Sequence, residues 1–136
     1  MDENTNQQYL LASLNAGRAQ LEAIEQELTR VDNTIHEFEH ALTTLEYLSS
    51  KKGEVTAMLP LGAKTFVEVT IPSNITLRRD IGQGVVIKKS AADFKKDIEQ
   101  DIKMLKQIQK KLVEDKNNTL KALQDIENKL RNPQQA

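Results

Sequence analysis

The chain has no cysteine and no tryptophan, and only 4% of its 136 residues are aromatic. The absence of cysteine excludes disulfide frameworks, cysteine-based zinc sites and thiol nucleophiles together, and it fits a reducing environment. No stretch approaches the roughly 18 apolar residues that a membrane-spanning helix needs, and no basic-then-apolar leader opens the chain. We therefore expect a cytoplasmic, soluble protein that does not use a membrane as a partner.

Glycine and proline are also scarce, and most of them are clustered. Four of the five glycines and two of the three prolines fall between Gly53 and Gly84. The two flanking segments carry apolar residues at alternating steps of three and four, which is typical of a coiled coil, and only Gly17 breaks the first series. The first stripe consists of Leu10, Leu14, Leu21, Ile24, Leu28, Val31, Ile35, Phe38, Leu42 and Leu45, and the second of Ile98, Ile102, Leu105, Leu112, Leu123, Ile126 and Leu130.

These stripes predict two long helices. The first should cover about residues 5–50, because Gly53 follows it. The second should cover about residues 90–131, with Ser90 as its N-cap and Pro133 beyond its end. Helices of such similar length can pair along their whole length, which would bring both chain termini to the end opposite the central segment.

The central segment, about residues 54–89, alternates between apolar and polar residues with period two, which predicts short strands. Breaks at residues 60–63, 72–74 and 81–84 divide it into four strands and two consecutive hairpins. We therefore predict a mainly α fold with a small β insert: a long antiparallel coiled-coil hairpin with two β-hairpins at one end, as a single domain over residues 1–136. Two hairpins leave strand edges unpaired, so we expect this segment to drive oligomerisation.

Charge is distributed unevenly along the chain. Residues 1–50 hold nine acidic and two basic residues, whereas residues 51–136 hold 11 acidic and 17 basic residues. This gradient favours pairing of the two helices within one chain over self-association of like helices. The flanking charges that we expect to contribute are Glu22, Glu25, Lys110 and Lys111.

The second stripe weakens in its middle. Continuing the repeat from Leu105 places polar residues at three inward positions, namely Gln109, Lys116 and Thr119. We expect looser pairing of the helices there.

Apolar residues from both chain ends should meet if the helices pair in antiparallel fashion. Some of them belong to the stripes, whereas Tyr9, Leu11 and Leu120 lie off them. Two interpretations remain open, a surface that binds other proteins or ordinary packing and frayed ends, because single exposed apolar residues are common. The set, which we call the tip residues, consists of Tyr9, Leu10, Leu11, Leu14, Leu120, Leu123, Ile126 and Leu130.

Residues 36–40, HEFEH, match the H-E-x-x-H pattern of zinc peptidases. With Ile35 and Phe38 on the apolar stripe, His36 and His40 should lie on the outer side of the helix, where no pocket excludes water or holds a substrate. The chain has no third histidine. We favour a solvated helix face, with adventitious metal binding and a metallopeptidase as the alternatives.

No other motif indicates chemistry. The Gly82-Gln83-Gly84 sequence lacks the third glycine and the following helix of a dinucleotide-binding loop, so we interpret it as a hairpin turn. Basic pairs in and near the central segment lack the interleaved aromatic residues of a nucleic-acid platform. No Ser-His-Asp constellation can be assembled from this chain. The sequence therefore predicts no enzyme, no cofactor, no metal site and no nucleic-acid partner.

Two local stretches resemble a known family. They are residues 59–63, LPLGA, which enter the first hairpin, and residues 80–89, DIGQGVVIKK, which lead into Ser90. Together with the order helix, two hairpins, helix, they resemble the prefoldins, the hexameric holdase chaperones of archaea and eukaryotes. Beta-class prefoldins have one hairpin, so two hairpins indicate the alpha class. Arg78 and Arg79 depart from the pattern, since this strand is usually aliphatic in the family.

The resemblance implies that two alpha and four beta subunits join their hairpins, here residues 55–89, into a β-barrel platform. It also implies that the tip residues capture non-native client proteins without ATP and deliver them to a group II chaperonin. The alternative is a structural, filament-forming coiled-coil assembly protein, which the two arginines keep open. The candidate subunit-interface residues are Val55, Leu59, Phe66, Val67, Val69, Ile71, Leu77, Val85 and Ile87.

Overall fold

The computed structural model describes residues 2–132, so Pro133 and the outermost ends of the predicted domain over residues 1–136 lie outside the described residues. The described chain has two long helices and two small antiparallel hairpins, which confirms the predicted fold class. In chain order the elements are α1 (Glu3–Ser50), β1 (Val55–Gly62), β2 (Thr65–Ile71), β3 (Thr76–Gly82), β4 (Val85–Ser90) and α2 (Ala91–Arg131).

The helix starts follow local hydrogen bonding. α1 begins two residues earlier than the predicted residue 5, and the backbone N–H of Asn6 donates to the carbonyl of Asp2 at 3.0 Å. At α2 the backbone N–H of Asp93 donates to the Ser90 hydroxyl oxygen at 3.1 Å. This bond satisfies an amide that has no partner within the helix, so Ser90 is the N-cap that the sequence predicts.

Both hairpins close through two-residue turns, and the strands run further than predicted. Gly62 pairs with Thr65 and Gly82 with Val85, so residues 60–62 and 81–82 belong to strands and not to the predicted breaks. Strand pairing continues up to the turns because β1 and β3 each contain an irregularity just before the turn. At these irregularities Gly62 and Gly82 adopt φ of +109° and +106°. A residue with a Cβ adopts this conformation only with strain.

The chain divides into two compact units, each containing parts of both helices. We call residues 1–35 and 104–136 the terminal unit and residues 36–103 the hairpin unit. In the terminal unit the buried residues are Leu14, Val31, Ile35, Leu123 and the polar Thr119. In the hairpin unit they are Leu45, Ile98 and Ile102. All seven buried apolar residues belong to the predicted stripes.

In the terminal unit the two helices run antiparallel. Arg18 lies 3.5 Å from Glu127, and Glu25 lies 3.6 Å from Lys116. Further along, the Gln109 side-chain amide donates to the Asp32 carboxylate. The partner's number falls as the α1 number rises, which is the order that antiparallel pairing requires.

The three predicted inward polar positions are accommodated by specific partners. Gln109 and Lys116 are half-buried and contact Asp32 and Glu25 of α1, as described above. Thr119 is buried, and its hydroxyl donates to the Asp115 carbonyl at 2.8 Å. Among the flanking charges predicted to link the helices, Glu25 does so, but Lys111 pairs with Asp115 on its own helix at 2.9 Å. An i, i+4 partner on the same helix face is closer at hand than one on the facing helix, which explains that difference.

Candidate assembly and client-binding surfaces

The first hairpin, β1–β2, has one entirely apolar face. Its cross-strand pairs are Val55 with Ile71, Ala57 with Val69 and Leu59 with Val67. Directly paired residues point to the same side of an antiparallel ladder, so these six side chains share one face. Phe66 lies on the opposite face, where it pairs with Pro60.

The second hairpin, β3–β4, has two charged residues on its half-buried face. This face carries Leu77 and Arg79 from β3 and Ile87 and Lys89 from β4. Both cations reach carboxylates on α2, with Arg79 lying 3.3 Å from Asp101 and Lys89 lying 2.7 Å from Asp97.

The two acidic partners are four residues apart on α2, so they lie on one side of the helix and face the hairpin together. The Lys89 ammonium holds the pKa of the Asp97 carboxyl below its usual range, chiefly through their hydrogen bond. Two parallel ion pairs therefore attach β3–β4 to the first turns of α2.

Arg79 also lies over two aromatic rings. Its guanidinium carbon is 6.0 Å from the centre of the Phe38 ring on α1 and 5.9 Å from that of Phe94 on α2. The side chain can thus occupy a position that is aliphatic in the prefoldin pattern, because its stem and planar head contact apolar groups while the charge is neutralised by Asp101.

Arg78, the neighbouring residue, points the other way. It is exposed and sits directly opposite exposed Lys88 in the ladder. Like charges in this position destabilise a strand pair. Among residues 2–132 neither cation has an ion-pair partner. Asp80 is the one carboxylate that the ladder places on this face in the described part of the chain, so the outer face of β3–β4 keeps a net positive charge.

Exposed apolar side chains in the hairpins extend beyond the predicted interface set. Of that set, Leu59, Phe66, Val67 and Val85 are exposed, and Val55, Val69, Ile71, Leu77 and Ile87 are half-buried. Leu61 and Ile81, which are 65% and 57% exposed, are not in the predicted interface set. Both precede a positive-φ glycine at the strand irregularity, so the shared pattern of an apolar residue followed by glycine could have found them. Met58 and Val86, also exposed, were omitted as well.

The tip residues separate into two groups in the terminal unit. Leu14 and Leu123 are buried between the helices, and Leu10, Ile126 and Leu130 are half-buried. Tyr9, Leu11 and Leu120, the three that lie off the stripes, are 66%, 50% and 43% exposed. Among the eight tip residues, only these three have large exposed apolar side chains.

The sequence motif of residues 36–40 has no metal-binding group around it. His36 and His40 are both exposed on α1, as the apolar stripe predicts. In the described range no three or more histidine and acidic residues are arranged to hold a metal ion. Neither α1 nor α2 contains an apolar stretch able to cross a membrane within the part of the chain that the structure describes.

Comparison with known proteins identifies the family. Residues 18–136 match the family described as prefoldin subunit. The chain belongs to the prefoldin family. It is 26% identical to prefoldin subunit alpha of Archaeoglobus fulgidus over 135 residues, which cover 99% of this chain and 98% of that protein. It is 28% identical to prefoldin subunit alpha of Methanococcus vannielii over 104 residues, or 74% of this chain and 68% of that one.

A solved structure agrees with this fold. The cryo-EM structure of filamentous PFD from Methanocaldococcus jannaschii matches with a TM-score of 0.70 and 24% identity, covering 85% of this chain and 95% of that one. The relatives' names and the two hairpins agree in indicating an alpha-class prefoldin. Prefoldins are chaperone subunits that assemble into oligomers.

Proposed function

We propose that this prefoldin acts as an ATP-independent holdase subunit rather than as an enzyme. In this proposal residues 1–136 form one domain, with helices over about residues 5–50 and 90–131 and assembly hairpins over about residues 54–89. Two copies join four beta subunits in the cytoplasm, capture non-native client proteins and pass them to a group II chaperonin. The tip residues bind the clients.

The exposure of Tyr9, Leu11 and Leu120 is the observation that carries this proposal. Apolar residues of a coiled coil normally face its partner helix, yet these three face solvent in the terminal unit. Exposed apolar surface of this kind is typical of interaction sites. Several subunits holding one client raise the effective concentration of each contact, so a small apolar area on each chain suffices.

Assembly through the hairpin unit is supported by its strand edges. Each sheet has only two strands, so every strand has one unpaired edge. Such edges readily pair with another chain. Changing Val67 and Val69 to aspartate places charge on the apolar face of β1–β2 and should abolish assembly with a beta subunit, as measured by light scattering after size exclusion. An oligomer of unchanged mass would show that this face is not the main contact between subunits.

An aggregation assay tests the client-binding role. The assembled complex is mixed with chemically denatured citrate synthase and, separately, rhodanese, and light scattering is followed. Replacing Tyr9, Leu11 and Leu120 by serine should raise the amount of complex needed for half-suppression at least several-fold.

The matched control removes similar exposed apolar area elsewhere in the terminal unit, by serine replacement of Met104, Ile108 and Val113, which are 57%, 42% and 44% exposed. This variant should suppress aggregation as the wild type does. Equal loss in both triple variants would mean that binding is spread along the helices, and no loss in either would contradict the tip proposal.

A filament-forming assembly protein is the second candidate. It is favoured by the similarity in fold to filamentous PFD. Mass measurement of the chain alone and mixed with a beta subunit separates the two. A defined complex with two alpha and four beta subunits supports the holdase, whereas long assemblies of this chain alone, with no uptake of beta, support the filament.

A further inference from the structure

The outer face of β3–β4 carries two cations, Arg78 and Lys88, and one carboxylate, Asp80, so it keeps a net positive charge. Arg78 and Lys88 are exposed, directly opposed in the ladder and without an ion-pair partner among residues 2–132. The other two cations of this hairpin behave differently, because Arg79 and Lys89 are both paired with α2 carboxylates. Two of the four cations are thus used internally and two are directed outward.

A second copy of this chain is a poor source of the missing charge. Residues 55–90 contain five basic residues, Lys64, Arg78, Arg79, Lys88 and Lys89, and two acidic residues, Glu68 and Asp80. Asp80 shares the outer face with Arg78, two positions along the strand, and its carboxylate accepts a hydrogen bond from the Gly82 backbone N–H at 2.8 Å. Five basic against two acidic residues give this segment a net charge of +3 in each copy, so joining these segments to each other would accumulate positive charge.

We propose that the outer face of β3–β4 binds a carboxylate-bearing β-strand of a different prefoldin subunit. The partner strand extends the two-stranded sheet at a free edge and places an acidic side chain on the face of Arg78 and Lys88. Exposed Val86 lies two residues before Lys88 on the same face, so an apolar side chain two positions from the acid completes the match. The charge pair selects an acidic partner and disfavours self-association.

This inference rests on the proposed hetero-oligomer, and the test uses the full-length chain with the prefoldin beta subunit encoded in the same genome. Affinity is measured by isothermal titration at about 50 mM and about 500 mM NaCl, because a charge contact that stays accessible to solvent weakens with salt. R78E/K88E should bind the beta subunit at least about tenfold more weakly than wild type. R78T/K88T, which keeps strand-forming residues, should bind more weakly and lose most of the salt dependence.

The control is K95E/K96E, which changes the net charge by the same amount on exposed positions of α2. It should bind with wild-type affinity and salt dependence. Circular dichroism establishes that each variant is folded, and R78T/K88T keeps the test decisive if R78E/K88E does not fold.

The outcomes distinguish this inference from the proposed function. If the wild type does not bind the beta subunit at all, the proposed hetero-oligomer fails. If the wild type binds but R78T/K88T binds equally well with the same salt dependence, the assembly stands and the acidic-strand inference is overturned. Tight self-association of the wild type that is weakened by these substitutions would also overturn it, because the occupant would then be a second copy.

Discussion

Replacing Gly17 by alanine tests how closely the two helices approach each other in the terminal unit. It occupies the one step of the first apolar stripe that lacks a side chain, and a Cβ built there would stand 2.5 Å from Cδ2 and 3.4 Å from Cγ of Leu123. Leu123 is buried, so moving it away from residue 17 would disturb its packing between the helices. Glycine at this position therefore makes space for a side chain of the facing helix.

Two opposing effects decide the outcome of Gly17→Ala. Alanine is a better helix former than glycine by about 1 kcal/mol in a helix interior. Overfilling a packed interface costs about 1–3 kcal/mol. The net expectation is a free energy of unfolding lower than that of the wild type by up to about 2 kcal/mol.

A double-mutant cycle with Leu123→Ala isolates the clash. Leu123→Ala alone should cost about 2–5 kcal/mol, because it removes a buried side chain and leaves a cavity. In that background the clash is absent, so Gly17→Ala should stabilise the protein by about 1 kcal/mol. The same substitution thus changes sign between the two backgrounds, and the coupling energy should be about 1–3 kcal/mol in magnitude.

The measurement is urea unfolding at one fixed protein concentration, followed by circular dichroism at 222 nm. A fixed concentration is needed because assembly contributes to the apparent stability of an oligomer. If Gly17→Ala stabilises the wild type and the Leu123→Ala variant by the same amount, the two residues are not in contact and the close approach of the helices is refuted.

Three further predictions concern the hairpin unit, each measured by urea unfolding. The pKa of Asp97 is lowered by Lys89, so the stability that this carboxylate contributes should be fully present above the usual aspartate pKa near 4. It should be lost as the pH falls through the pKa of Asp97 in the folded protein. Lys89→Gln should therefore lose less stability than wild type between pH 7 and pH 3. Lys64 has a φ of +60° in the β1–β2 turn, so Lys64→Gly should stabilise by about 1 kcal/mol whereas Lys64→Ala should not. Arg79→Met keeps an apolar stem over the rings and should cost less than about 1 kcal/mol, whereas Arg79→Asp faces Asp101 and should cost more; equal effects would contradict the pairing.

The long helices were predictable from the sequence because their signals are local and repeated. The apolar stripe recurs over many turns, and the helix-breaking residues cluster between the two helices, so an error at one position does not change the assignment. The α2 start was predicted to within one residue, because Ser90 is a capping residue immediately before the helix. The strand ends were less predictable, since Gly62 and Gly82 were interpreted as breaks although their positive φ lets pairing continue.

The candidate surfaces were only partly predictable, because they depend on contacts between distant segments. The apolar stripe correctly separates Leu14 from Tyr9 and Leu11 along α1. The burial of Leu123, however, depends on the space left by Gly17, more than 100 residues away in sequence. No local pattern contains that information, so a set of tip residues chosen by position alone mixes packing residues with exposed ones.

Period-two alternation predicts the directions of the two adjacent arginines of β3 but not their contacts. Leu77 and Ile87 face inward, so alternation alone places Arg79 inward and Arg78 outward. It does not explain why an inward arginine is tolerated, because that depends on Asp101 four residues after Asp97 on α2 and on the rings of α1 and α2. Since Arg79 is satisfied within the chain, its departure from the family pattern is no reason to expect altered assembly. In the proposed assembly, partner choice therefore depends on Arg78 and its cross-strand neighbour Lys88.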